Sequence, residues 1–148
     1  MSKARQSYIK EQILSASPEE LLILMYDSAI RSLEDAKKMT DAYEFNQRLI
    51  KAQNIIAELM GALKKEKAPE LVTNLARLYE FIYRQLVDAN LNRDMLRVDR
   101  VLGLLRNLRD TWQQAIEKAE HEKKAARGSE IEVPVKAATR RPGFALEA

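Results

Sequence analysis

The chain has 148 residues, enough for one domain with a buried core. It has no cysteine, which excludes disulfides and thiolate metal sites, and its net charge of +3 does not call for a nucleic-acid partner. Hydrophobic residues make up 46% and charged ones 32%, with only four Gly and four Pro; the long breaker-free stretches of good helix formers predict an all-α protein.

Residues 1–16 are polar apart from Tyr8, Ile9, Ile13 and Leu14. They predict an N-terminal arm or a short helix, marginal by itself. The first long helix opens at Ser17, a good N-cap, with Pro18 at the first helical position and Glu20 placed for a capping box. Glu19 and Glu20 also suit the positive end of the helix dipole. Leu22, Tyr26, Ala29, Leu33 and Ala36 form its inward seam, and it ends near Lys38, with Thr40-Asp41 opening the next.

The second helix is predicted from about Tyr43 to Lys65, with Phe45, Leu49, Ala52, Ile56, Leu59 and Leu63 inward. Pro69 starts a third, to about Asn90, with Leu71, Leu75, Leu78, Ile82, Leu86 and Ala89 inward. A fourth spans about Arg93 to Lys124 on Val98, Val101, Leu105, Leu108, Trp112, Ala115 and Ala119. Amphipathic helices joined by short loops fold most simply as an antiparallel up-down four-helix bundle, here over residues 17–126. Residues 127–148 contain Gly128, Pro134 and Pro142 and show no period, so a flexible, disordered tail is expected.

Nothing in the chain resembles catalytic machinery. His121 is the single histidine, set among charges in "KAEHEKK". There is no glycine-rich phosphate loop and no nucleophile elbow, so neither enzyme activity nor a metal or cofactor is expected. Arg93, Arg97, Arg100, Arg106 and Arg109 alternate with Asp94, Asp99 and Asp110, a solvated charged face rather than a nucleic-acid patch. No secretory pattern is present and the longest apolar run is too short to cross a bilayer. The expected location is cytoplasmic, without stable membrane insertion.

The unusual feature is surplus apolar surface. Leu21 to Tyr26 are six apolar residues in a row, and on a wheel of about 100° per residue the apolar arc of the first helix is roughly 200° wide, about twice a core-facing stripe. Leu22 and Tyr26 suffice for the seam, which leaves Leu21, Ile23 and Leu24 over. Ile50 and Ala57 lie on one shoulder of the second helix, Ile55 and Ala62 on the other. Val72, Ala76, Tyr83 and Val87 flank one side of the third, Phe81 the other, and Leu104 flanks the fourth. These residues are tolerated surface, a groove covered by the arm through Tyr8 and Ile9, or a groove for a partner's amphipathic helix. Leu21, Leu24, Ile50, Ile55, Ala62, Phe81 and Leu104 are the groove candidates.

Four segments, "SASPEELLILMYDSAIRSLEDAK", "NQRLIKAQNIIAELMGAL", "NLARLYEFIYRQLVDANLNRD" and "VLGLLRNLRDTWQQA", occur in the order seen in flagellar export chaperones of the FliS family, which the chain resembles over about residues 7–119. Tyr8 also matches that family's aromatic near the N-terminus. The resemblance implies an antiparallel helical bundle and a cytoplasmic chaperone. Its implied partners are the C-terminal helical segment of newly made flagellin and the flagellar type III export gate. Self-association without a partner is compatible with the same grooves. The competing expectation is a helical adaptor or regulatory protein that binds another amphipathic helix.

Overall fold

The computed structural model describes residues 3–64, 66 and 68–132. The elements are α1 (Lys3–Ser15), α2 (Pro18–Lys38), α3 (Ala42–Gly61), α4 (Pro69–Asn92) and α5 (Met95–Glu132). The expected bundle is formed by α2 to α5: α2 and α4 each pack against both α3 and α5. Cross-helix ion pairs fix the direction of its closing seam. Lys37 meets Asp99 at 2.6 Å, Glu34 meets Arg106, and Asp27 meets Arg109 at 2.8 Å. Later residues of α2 thus face earlier residues of α5, so the two run antiparallel.

Local signals explain most helix ends. Ser17 Oγ accepts the Glu20 N–H at 3.2 Å, and its hydroxyl lies 3.2 Å from the Glu20 carboxylate as a donor. Asp41 caps α3 in the same way by accepting the Glu44 N–H at 3.2 Å. α3 stops at Gly61, short of the expected Lys65, because Gly is a weak helix former at the end of the run. Ala62 closes the last turn with its N–H on Glu58 O at 3.1 Å.

Arg93 is not the start of the last helix. It sits at φ 49°, in the left-handed region, as the C-cap of α4, with its N–H on Ala89 O. Its side chain holds this uncommon conformation in place: the guanidinium donates to Met39 O at 2.8 Å and lies 5.3 Å from the Phe45 ring centroid. Asp94 then caps α5 by accepting the Arg97 N–H at 3.1 Å.

α1 settles the arm-or-helix alternative as a helix, and its described side chains are exposed. At the other end, α5 runs on to Glu132, so residues 127–132 are helical rather than part of a disordered tail. Ala125, Ala126 and Arg127 are good helix formers, and no proline lies between Met95 and Pro134. Residues 133–148 lie outside the described residues.

The core contains Tyr26, Leu33, Phe45, Leu49, Ile56, Tyr79, Ile82, Leu86, Val98, Val101, Leu102 and Leu105, all nearly inaccessible to solvent. Several seam assignments shift. Ile23, assigned to the surplus, is buried, whereas Leu22 is half-buried. In α4, Val72 and Tyr79 take the inward places expected for Leu71 and Leu78, giving an even three-four alternation through Leu75, Ile82, Leu86 and Ala89. Leu102 is an extra core residue, and Ala115 is exposed.

The two ends of the bundle are sealed unequally. Around the α2–α3 and α4–α5 turns, Leu33, Ala36, Phe45, Leu86, Ala89, Val98 and Val101 are closed off. Toward the opposite end, Leu22, Leu63, Leu75, Leu108 and Trp112 pack on the core but remain half-buried. The expected core positions that proved incompletely buried lie in this half, which leaves the core open there.

Candidate functional site

A polar network marks the inner boundary of the open half. Tyr26 of α2 and Tyr79 of α4 meet hydroxyl to hydroxyl at 2.6 Å, and the Trp112 indole N–H of α5 donates to Tyr26 Oη at 3.2 Å. Three helices are thereby tied at one level. Burial is the first cause that raises both phenols above their ordinary value, so the network is neutral at physiological pH. One helical step away, Arg109 binds Asp27 with contacts of 2.8 and 3.4 Å, and that bond holds the guanidinium above its ordinary value.

The groove candidates fall on several seams rather than one. With about 100° per residue, Leu21 shares a flank of α2 with Ser32, whose hydroxyl donates to Arg48 O of α3 at 2.8 Å. Ile55 shares the flank of Arg48, so Leu21 and Ile55 border the α2–α3 seam; Ile55 is half-buried and packed on the core. Ile50 lies beside Asn46, which bonds Asn90 of α4 at 2.6 Å, and so borders the α3–α4 seam. Leu24 is half-buried on the outer side of α2. Ala62 is exposed, but as the C-cap of α3 rather than on its face.

Phe81 and Leu104 belong together. Phe81 shares the α4 flank of Gln85 and Asp88, which contact Arg97 of α5 at 2.9 and 3.7 Å. Leu104 shares the α5 flank of Arg97. Both therefore face the α4–α5 seam, where Leu104 packs on the core and Phe81 is 50% exposed. Leu71, on the same seam nearer the open end, is 40% exposed. Arg97 pins one end of this seam, whose two helices pack less closely than the other three adjacent pairs. The strip from Phe81 and Leu104 through Leu78 and Leu108 to Leu71 and Trp112 offers aliphatic and aromatic surface.

The arm candidates are less informative. Tyr8 is 65% exposed, and the Ile9 side chain lies outside the described ones. The periodicity missed Leu71 as a surface residue. The signal was present in Tyr79, whose hydroxyl needs a buried partner and which therefore turns α4. Among the described residues, no three His, Cys, Asp or Glu side chains are grouped to hold a metal, and no helix is long and apolar enough to cross a membrane.

A family model described as "Flagellar protein FliS" matches residues 1–119. The chain belongs to the FliS family. A flagellar secretion chaperone FliS of Salmonella typhimurium is 36% identical over 118 residues, covering 77% of this chain and 87% of that protein. Its counterpart in Bacillus subtilis is 35% identical over 114 residues, covering 75% and 84%, and that of Escherichia coli is 32% identical over 125 residues, covering 78% and 90%. These relatives are named as chaperones, not enzymes. The FliS match ends at residue 119, the last buried residue of α5 among those described; the remainder of α5 and residues 133–148 lie beyond it.

Proposed function

We propose that this FliS-family chain is a cytoplasmic export chaperone. It binds the C-terminal helical segment of flagellin, keeps it from polymerising prematurely, and assists its delivery to the flagellar type III export apparatus. The observation that carries this reading is the apolar strip of the α4–α5 seam, with Phe81 half in solvent on a chain of this family.

Magnitudes favour contact at more than one seam. Ordering one residue costs about 1–2 kcal/mol of backbone entropy, while burying one large apolar side chain yields about 1.5–3 kcal/mol. An unfolded segment must therefore bury an apolar side chain at roughly every second residue to bind. A helix presents apolar residues at about that density, and one seam accommodates only a few turns. A segment that wraps from the α4–α5 strip toward Ile50 on the α3–α4 side, or toward Leu21 and Ile55 on the α2–α3 side, meets the requirement. No nucleotide chemistry is involved; release follows from handover to a competing surface.

The activity is tested by light scattering of the cognate flagellin under polymerising conditions. An equimolar amount of the chain suppresses filament growth if the reading holds. Unchanged growth in the presence of the folded chain contradicts it.

A further inference from the structure

The apolar strip between α4 and α5 is edged by positive charge that the chain only partly matches. Arg77 and Arg84 stand about one turn to either side of Phe81 on α4, and Arg97 and Arg100 stand within about two turns of Leu104 on α5. Two of these four are answered. Arg84 binds Glu80 at 2.6 Å, and Arg97 reaches Asp94 at 3.4 Å and Asp88 at 3.7 Å. Asp99, beside Arg100 in sequence, faces the other way and binds Lys37 of α2 at 2.6 Å. Among the described residues, neither the Arg77 nor the Arg100 guanidinium has a partner, and both side chains are exposed.

We infer that the α4–α5 strip takes an amphipathic helix whose apolar stripe is edged by carboxylates, one set against Arg77 and one against Arg100. The inference rests on the reading that flagellin's C-terminal segment occupies this strip, and it names the chemistry that the segment carries there.

The register across the seam sets the spacing. Arg97 contacts Gln85 at 2.9 Å as well as Asp88, and α4 and α5 run in opposite directions from the turn at Arg93 and Asp94. One turn past Arg97, Arg100 therefore stands near the level of Arg84 and Gln85. Arg77 lies about two turns away along α4, roughly 11 Å at ~1.5 Å per residue. The two unmatched charges thus sit on opposite walls of the seam, with Phe81 and Leu104 between them. A helix lying between the walls meets them with carboxylates about two turns apart, and with apolar side chains in between.

Charge complementarity selects this occupant over a nucleic acid. The surface between the arginines is aliphatic and aromatic, and Glu80 and Asp88 on the α4 wall repel a phosphate backbone. Exposed ion pairs hold weakly, whereas charges at the rim of an interface steer encounter and fix register. The apolar contacts therefore retain the segment, and Arg77 and Arg100 set where along the strip it seats.

The test is calorimetry of a peptide of the cognate flagellin's C-terminal segment with the full chain and with Arg77→Gln/Arg100→Gln, at about 50 and about 500 mM NaCl. At low salt the variant binds about five-fold more weakly, and at high salt the difference vanishes. A copy of the peptide with Asp and Glu changed to Asn and Gln loses about the same factor on the native chain and nothing more on the variant. Equal affinities of native chain and variant at low salt overturn the proposal. So does a loss that persists at high salt, and so does a neutralised peptide that responds to the arginines as the native one does. A cognate segment without carboxylates about two turns apart overturns it as well. A mixed-sequence RNA that binds the native chain more tightly than the peptide, and is lost in the variant, assigns the face to nucleic acid and also overturns it. A peptide that binds neither protein removes the flagellin reading and this assignment together, whereas one that binds both equally removes only the role of the arginines.

Discussion

The hydroxyls of Tyr26 and Tyr79 lie 2.6 Å apart across the diagonal of the bundle, and Trp112 donates to the Tyr26 side of the pair at 3.2 Å. Tyr26 is thus the hub and Tyr79 a terminus. Tyr79→Phe removes one neutral hydrogen bond, a loss of about 1 kcal/mol, whereas Tyr26→Phe removes both bonds of the network and leaves the Tyr79 hydroxyl only the Trp112 indole beside it, for about 2 kcal/mol. Urea unfolding of the two variants checks the order. Equal losses, or a larger one for Tyr79→Phe, contradict the hub assignment.

The Asp94 cap gives a pH dependence with a definite sign. The Arg97 backbone N–H, with the Arg97 guanidinium behind it, holds the Asp94 carboxyl below its ordinary 3.8. A depressed folded-state value means stability that is present above the unfolded pKa and lost as pH falls through the folded one. The difference in urea midpoint between the native chain and Asp94→Asn is therefore constant from about pH 7 to 5 and shrinks below about pH 4. A difference that grows on acidification refutes this role.

Phe81 and Ile55 separate surface from core. Ile55→Asp inserts a carboxylate beside the core and lowers the melting temperature strongly, with a loss on the order of 2–4 kcal/mol. Phe81→Asp, on a half-exposed side chain, changes stability by less than about 1 kcal/mol and weakens the flagellin segment by about ten-fold or more. Thermal melts paired with binding isotherms on both variants test the contrast. Unchanged affinity in a folded Phe81→Asp protein removes the α4–α5 strip from the binding surface.

Gly103 lies within α5 on its exposed side, where an added Cβ would meet nothing within 4 Å. Gly103→Ala therefore stabilises the chain by about 0.5–1 kcal/mol, since Ala restricts the unfolded state and favours helix. A rise in melting temperature checks it, and a fall contradicts the open geometry.

Much of the fold was legible in the sequence because the signals were local. Ser17, Pro18 and Asp41 set helix starts that the structure reproduces, and the seam of α3 from Phe45 to Leu59 is buried as its spacing implies. Errors arose where non-local contacts outweighed periodicity. Tyr79 turned α4 by its bond to Tyr26, which moved Leu71 and Leu78 off the core line. Arg93 ended α4 in a left-handed cap because Met39 O and Phe45 lie within its reach, and no neighbour in sequence foretells that. The surplus at Leu21 to Leu24 was only partly a surface, since Ile23 is 9% exposed. Wheel positions identified apolar shoulders but not which seam each borders; that depended on which helices became neighbours.

The central claim is tested most directly by isothermal calorimetry of the full chain with a peptide of the cognate flagellin's C-terminal segment. The account predicts a one-to-one complex with a negative heat-capacity change from apolar burial, and a clear loss of affinity for Phe81→Asp. No heat of binding to a folded chain, at peptide concentrations up to about 100 μM, would contradict it.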